Sequence, residues 1–337
     1  MSIAKIQHHF EQAAQLNALQ NWIVSNQTKL IVNGLTGSSL SFILAEIYKK
    51  STHSILLILE DKEEAAYIFN DLEELIPDKP LLFYPASYKR PYQIEETDNA
   101  NILLRSEVLN KINSNKKPLF TVTYPDALFE KVVTKSTLKK NTLTVGVGDS
   151  ISLDFVNEVL FEYQFQRVDF VSSPGEFSVR GGIVDVFSFS NDKPYRIEFF
   201  GDEVESIRTF DIETQLSLQK LSKIQLLPNI ENKAMLENRE SFLHYIPNNT
   251  LIIHKNKEFI FGQLDKLFEK SELAFQNSSA LLPTSAPTNL FTNGNEFSQL
   301  LAKFKTVQLG TFDTNQGDET IVFNTKPQPS FNKHFEL

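Results

Sequence analysis

The octapeptide Gly34-Leu35-Thr36-Gly37-Ser38-Ser39-Leu40-Ser41 stands where a phosphate-binding turn would stand, after a short apolar run (Leu30–Val32) and before a helical pattern. In such a turn, G-x-x-x-x-G-K-[S/T], glycines let backbone amides curl round an anion, the lysine reaches the β- and γ-phosphates, and the hydroxyl reaches magnesium. Here Gly34 and Ser41 fit, but Ser39 takes the second glycine position and Leu40 the lysine position. Without an ammonium nothing neutralises the phosphates, and a side chain at 39 restricts the backbone where it must curl. Helix N-terminal amides retain only weak anion attraction. Gly34, Thr36, Gly37, Ser39, Leu40 and Ser41 therefore read as a vestigial nucleotide loop kept as a strand-to-helix turn. A working site would also need a metal-holding acid after a neighbouring strand. The late strand Leu251–Ile253 runs into His254-Lys255-Asn256, which has none.

Other chemistry is scarce. There is no cysteine, hence no disulfide framework and no thiolate, which fits a reducing, cytoplasmic setting. The six histidines are scattered, with no HExxH-type spacing, so no metal site is expected. No Ser-His-Asp arrangement or catalytic carboxylate pair stands out. Glu60-Asp61 and Glu63-Glu64 follow a strand and read as an acidic first turn complementing a helix dipole. No catalytic residue is assigned, and no apolar run is long enough to span a membrane.

Arginine is the informative residue. Of seven, four (Arg167, Arg180, Arg196 and Arg208) fall within 141–215, the stretch that also holds 14 acids and so carries the whole net charge of −9. The flanking regions are neutral, and the chain lacks the basic stripe that phosphate-backbone binding requires. Arginine forks suit bidentate carboxylate contacts and are enriched at protein interfaces; the alternative is that these four only neutralise neighbouring acids.

The elements that must position these residues follow from periodicity. Residues 5–27 predict one amphipathic helix. Apolar runs at Leu30–Val32, Ile55–Leu59, Leu81–Pro85 and about 118–124, alternating with helices, predict a parallel α/β sheet. Residues 135–152 read as linker and turn, and Leu153–Tyr163 as a short helix. From Arg167 to Gln215, Pro-Gly, Gly-Gly and Gly-Asp punctuation between β-branched and aromatic runs predicts an antiparallel meander. Tyr195–Phe199 alternates, placing Arg196 and Glu198 opposite Tyr195, Ile197 and Phe199, so Arg196 is expected to face solvent. Gly181-Gly182 reads as a bulge, because apolar parity shifts across it. Strand–helix texture returns after Pro228, residues 277–294 are loop-rich, and Ile321–Phe323 reads as a returning strand. The tail KPQPSFNKHFEL stops without capping, as expected of a piece of a longer protein.

The stretch GEFSVRGGIVDVFSFSNDKPYRIEFFGDEVESIRTFDIETQLS resembles the domain shared by the excinuclease component UvrB and the bacterial transcription-repair coupling factors (Mfd). The strand–GLTGSSLS–helix unit resembles the first helicase motif of the same proteins in degraded form, and the likeness runs from about residue 28 to the end. Two departures separate the relatives. UvrB has an intact loop, and it carries a long aromatic DNA-gripping hairpin after the strand matching Leu81–Pro85. Here a polar loop with Arg90-Pro91-Tyr92 takes that place. The chain thus resembles the N-terminal UvrB-like region of a coupling factor.

That resemblance implies a degenerate helicase-like parallel-sheet domain (1–130), an inserted small β-rich, UvrA-binding domain (131–215), and a subdomain (216–337) returning to the first. It implies recruitment of the excinuclease component UvrA through Arg180 and Arg196, with Arg167 and Arg208 secondary and Phe187 either an apolar anchor or a core residue. Asp185, Glu198 and Asp202 would hold the arginines. It implies no cofactor for this region, with ATP, magnesium, RNA polymerase and DNA engaged by other domains of the longer protein. Two other readings stay open: a UvrB-like nucleotide-dependent DNA-binding component of the excinuclease, and a purely structural domain that masks the rest of its protein.

Overall fold

Short runs of valine, isoleucine and leucine without alternation suit strands covered on both faces, and they form the central sheet. The computed structural model describes residues 3–87, 99–115, 117–189, 191, 193–228, 238–277, 286–310 and 319–326. The loop containing Arg90-Pro91-Tyr92 and the tail KPQPSFNKHFEL beyond its first residue, Lys326, lie outside them.

The first part runs α1 (Ile3–Glu11), α2 (Ala14–Val24), β1 (Lys29–Asn33), α3 (Ser39–Lys50), β2 (Ile55–Ile58), α4 (Lys62–Leu75), β3 (Leu81–Phe83), α5 (Asn99–Ser114), β4 (Phe120–Thr123), α6 (Pro125–Phe129) and β5 (Val132–Val133). The single helix expected over 5–27 is two: Ala13 is extended at ψ 128°. The break lets Phe10 stack on Phe42 of α3, with ring centroids 5.2 Å apart, while Leu16, Leu19 and Trp22 of α2 enter the core. The acidic start of α4 is as read: Asp61 caps the helix by accepting the Glu64 amide at 2.8 Å.

Residues 135–152 are not a plain linker. They contain α7 (Lys135–Lys140) and β6 (Leu143–Gly146). Thr134 caps α7 by accepting from the Thr137 amide. Then come α8 (Leu153–Glu162), β7 (Gln166–Arg167), β8 (Glu176–Arg180), β9 (Ile183–Val186), β10 (Tyr195–Phe200), β11 (Glu203–Phe210), β12 (Ser217–Leu221) and β13 (Lys223–Leu226). The meander is a six-stranded sheet, ordered β12-β11-β10-β9-β8-β7 and antiparallel except at β7–β8. Beside it, β13 pairs with β6. One face, with Phe177, Val184, Ile197 and Ile207, joins Val156 and Leu160 of α8 in the main core.

Gly181-Gly182 is a two-residue hairpin turn, not a bulge. Arg180 pairs with Ile183 and Val179 with Val184, and Gly181 has φ +60°. An even-length turn makes facing residues odd and even in number, which is why apolar parity changes there. Register shifts lie instead in β11, against Glu198/Phe199 of β10, and in β12, against Arg208/Phe210 of β11.

The chain then passes β14 (Arg239–Glu240), paired with β5, and α9 (Phe242–Tyr245), β15 (Leu251–His254), α10 (Lys257–Asn277), α11 (Pro287–Leu290), α12 (Gly294–Leu301), β16 (Lys305–Leu309) and β17 (Glu319–Val322). The last three strands rejoin the first four in one parallel sheet of order β17-β1-β16-β15-β2-β4-β3. The architecture is mixed α/β, as read. Arg105 of α5, fully buried, lies 3.2 Å from buried Glu130 and donates to the carbonyls of Pro85 and Ala127 at 2.9 and 3.2 Å. Glu130 also accepts from the amide and hydroxyl of Ser87. This pair ties α5 to the segments that follow β3 and β4.

Candidate functional site: a closed loop and an arginine face

The loop after β1 is shaped like a phosphate turn and is filled by its own side chains. Gly34 has φ +78°, and a Cβ there would lie 1.8 Å from the carbonyl oxygen of Phe323, so the chain following β17 presses directly on the turn. Thr325, just beyond, accepts the Thr36 amide at 2.9 Å and donates to the Gly34 carbonyl at 2.6 Å. The Ser39 hydroxyl also accepts the Thr36 amide, at 2.9 Å, and donates to the Thr36 carbonyl. An amide that would face a phosphate thus already has two hydroxyl partners. Leu40 turns into the core, and Ser41 is fully buried, donating to Asp71 of α4 at 2.7 Å. Gly37, at φ +55°, is the remaining turn glycine.

The strands flanking β1 are β16 and β17; β15 lies one strand further than a direct neighbour. Neither the Leu309-Gly310 end of β16 nor the Phe323-Asn324 end of β17 supplies an acid. His254, ending β15, is buried, and burial, helped by the Lys257 charge, lowers its pKa to about 4, so it is neutral near pH 7. Among the described residues no group of three or more His, Asp or Glu could hold a metal, and no helix is long and apolar enough to cross a membrane.

The solvent-side face of the six-stranded sheet gathers three of the four arginines. Register lines up Lys220, Arg208, Arg196, Asp185 and Ser178 across β12 to β8, and next to them Ser206, Glu198, Ile183 and Arg180. Two adjacent rows of an acidic unit therefore hold four cations and two carboxylates. Asp185, itself buried, is the hub. Arg196 donates to both of its oxygens, Nε to Oδ1 at 2.7 Å and an Nη to Oδ2 at 2.9 Å, and Arg180 pairs with Oδ2 as well. Hydrogen bonding to Asp185 raises the Arg196 pKa further. Arg208 pairs with Glu198. Asp185 and Glu198 hold the arginines as read from the sequence, while Asp202 sits in the exposed β10–β11 turn.

The arginines differ in presentation. Arg180 leaves 40% of its side chain exposed and lies over the ring of Phe170, which is itself 65% exposed. Arg196 is not the free solvent-facing group expected: its side chain is only 16% exposed, it donates to the Gln215 carbonyl at 3.1 Å, and it covers the ring of Phe210 at 4.5 Å. Arg208 does not keep the parity of Val204. The β11 bulge falls between them, so Val204 turns inward and Arg208 stands opposite Arg196. Phe187 is buried with Val171 and Phe210 in a small separate cluster beneath the face and is not presented as an anchor. Arg167 registers with inward-facing Phe177 at the far edge, apart from the other three. Lys220 and Phe170, absent from the sequence reading, complete the face. Cross-strand register brings in Lys220 and a loop brings in Phe170, and neither has a local signature.

This unit, from β6 to β13, coincides with residues 143–231, which match the family described as the UvrB interaction domain. The chain is similar to the transcription-repair-coupling factor of Bacillus subtilis, 29% identical over 224 residues (66% of this chain and 19% of that protein). Those of Haemophilus influenzae (28% over 241 residues, 72% and 21%) and Staphylococcus aureus strain bovine RF122 (31% over 228 residues, 67% and 18%) are similar too. The chain carries a UvrB interaction domain and is homologous to the transcription-repair-coupling factors over about two thirds of its length. It spans about a fifth of the length of these relatives.

Proposed function

We propose that this chain is the part of a cytoplasmic transcription-repair coupling factor that recruits the excinuclease component UvrA to RNA polymerase stalled at a DNA lesion. In this reading, ATP-driven translocation on DNA and polymerase binding belong to other domains of the longer protein, and this region binds no cofactor. The observation that carries the proposal is the cationic face of Arg180, Arg196, Arg208 and Lys220 on an otherwise acidic UvrB interaction domain, fixed in place by Asp185 and Glu198. Arginines held by a buried carboxylate lose little freedom on docking, which is what an interface contact needs. The closed loop at Thr36 and Thr325 speaks against a UvrB-like nucleotide-dependent role.

Pull-down and calorimetry of UvrA with this chain test the reading. Specific binding is expected, weakened at least tenfold by Arg180→Ala, which corresponds to about 1.4 kcal/mol. Duplex DNA is expected to bind no tighter than about 10⁻⁵ M at physiological salt. A folded Arg180→Ala/Arg208→Ala double variant that binds UvrA like the wild type would exclude this face.

A further inference from the structure

A second surface lies on the other side of the same unit. α8 covers the inner face of the six-stranded sheet, where its Val156 and Leu160 are buried with Phe177 and Ile197. Its outer side is therefore turned away from the arginine face. At 3.6 residues per turn, Phe161, Asp154, Glu158, Glu162 and Phe155 follow one another round an arc of about 120°, and all five are exposed. Phe155 stands 45% and Phe161 50% open to solvent. The Phe161 ring meets that of Phe177 edge-on at a centroid distance of 5.1 Å, which fixes its place on the surface. A surface helix ordinarily keeps such an arc polar. Of the six phenylalanines at least 40% exposed among the described residues, two belong to this one helix, which sets the arc apart from single scattered apolar side chains.

The charges of the arc select its occupant. Asp154 suits the positive N-terminal end of the helix, but Glu158 and Glu162 each follow a like charge four residues earlier, and Glu162 stands in a last turn that holds no cation. None of the three acids has an ion-pair partner among the described residues, although Arg167 of β7 lies on this side of the sheet. Three carboxylates repel nucleic acid and anionic lipid, and a second copy of α8 would set acid against acid, whereas a cationic segment is attracted. An extended strand presents one row of side chains to a surface. A helix can instead set a stripe of Lys or Arg between two apolar edges, the complement of an acidic stripe between two phenylalanines. We infer that the outer face of α8 docks a cationic amphipathic helix of a partner protein. This inference does not depend on the arginine face or on UvrA.

The probe is a blocked, fluorescein-labelled eighteen-residue helical peptide with a lysine stripe flanked on both sides by leucines, and glutamine and alanine elsewhere, titrated by anisotropy against the whole chain. A scrambled peptide of the same composition is the control, since it keeps the charge and loses the face. Saturable binding of the patterned peptide is expected, at least tenfold tighter than the control, with carbodiimide cross-links from its lysines to Glu158 or Glu162. Glu158→Lys relieves two like-charge contacts, so it is expected to keep or raise the unfolding midpoint while weakening binding at least tenfold. Phe155→Ser, at an exposed position, is expected to weaken binding at least threefold; should it fail to fold, Glu158→Lys carries the test. The proposal is overturned if both peptides bind alike or not at all, if the cross-links fall outside α8, or if either folded variant binds like the wild type. Self-association of the chain that the patterned peptide displaces would assign the face to a second copy and likewise overturn it.

Discussion

Arg196 and Asp185 stand directly opposite each other on β10 and β9, and the guanidinium donates to both carboxylate oxygens at 2.7 and 2.9 Å. The carboxylate is buried and the guanidinium nearly so, while Arg180 reaches the same carboxylate from the exposed side. One acid thus orients two arginines of unequal burial, which makes their roles separable by mutation.

Arg180→Ala is expected to leave folding nearly unchanged, within about 0.5–1 kcal/mol, because Arg180 reaches Asp185 from the exposed side and the carboxylate keeps Arg196 on both its oxygens. Arg196→Ala removes the better of Asp185's two partners and uncovers Phe210, and is expected to cost about 1–3 kcal/mol. Asp185→Ala, which strips both arginines of their anchor, should cost at least as much as Arg196→Ala. Urea unfolding of the three variants checks the order; equal midpoints for Arg180→Ala and Arg196→Ala would contradict it.

Arg105 and Glu130 form the buried counterpart of that pair, 3.2 Å apart with both side chains excluded from solvent. Glu130→Ala leaves Arg105 charged in the core and is expected to destabilise the chain by about 3–5 kcal/mol. Replacing both, as Arg105→Met/Glu130→Leu, is expected to recover much of that loss, since an apolar pair of similar volume needs no charge compensation. A double variant as unstable as Glu130→Ala would show that the bonds to Pro85, Ala127 and Ser87 matter more than the charges.

The sequence made legible what local pattern controls. Apolar runs at residues 30–32, 55–59 and 251–253 identified parallel strands, and Leu40 in the lysine position marked the loop as degenerate. Cross-strand geometry was not legible. Strict alternation from Val204 would turn Arg208 inward, and the bulge that prevents this leaves no unambiguous residue signature, whereas Gly181-Gly182, read as a bulge, is a turn of even length. Lys220 joins the arginines only through the β11–β12 register, and Thr325 reaches Thr36 across most of the chain length, so no spacing rule could find either. α12 and β16 passed unnoticed because the loop-rich stretch before them hid the start of the last strand–helix unit.

His254 makes the parallel sheet sensitive to acid. Burial, with the charge of Lys257, lowers its pKa to about 4 from an ordinary 6.5. The folded state therefore prefers the neutral ring, and the unfolded chain binds the extra proton between those values. Its contribution is complete above about pH 6.5 and is lost as pH falls toward 4, amounting to about 2–3 kcal/mol by pH 4.5. Asp126 and Glu240, whose pKa values burial raises, act in the opposite sense, so the comparison must be made against a variant. His254→Leu is expected to lose less stability than the wild type between pH 7 and 4.5, read from urea midpoints at the two pH values. Parallel losses would remove His254 from the account.

The closed loop leads to the last prediction. Calorimetry with ATP or ADP is expected to give no saturable heat, because Leu40 supplies no charge and the Thr36 amide is held by the hydroxyls of Ser39 and Thr325. Restoring the consensus with Ser39→Gly/Leu40→Lys frees one of those partners and adds an ammonium, but three obstacles remain. Thr325 still accepts the Thr36 amide, Ser41 is still committed to Asp71, and no acid ends β16 or β17 to hold magnesium. The lysine would also bring an ammonium into the apolar core where Leu40 packs, so that it must either be desolvated or swing out and forfeit that packing, a destabilising change either way. The double variant is therefore expected to be less stable and still without ATP hydrolysis. Adding Thr325→Ala is expected to let it bind inorganic phosphate or ADP weakly, since the amide then has no competing acceptor. Hydrolysis by the double variant alone would mean that the turn is far closer to a working site than its hydrogen bonds indicate.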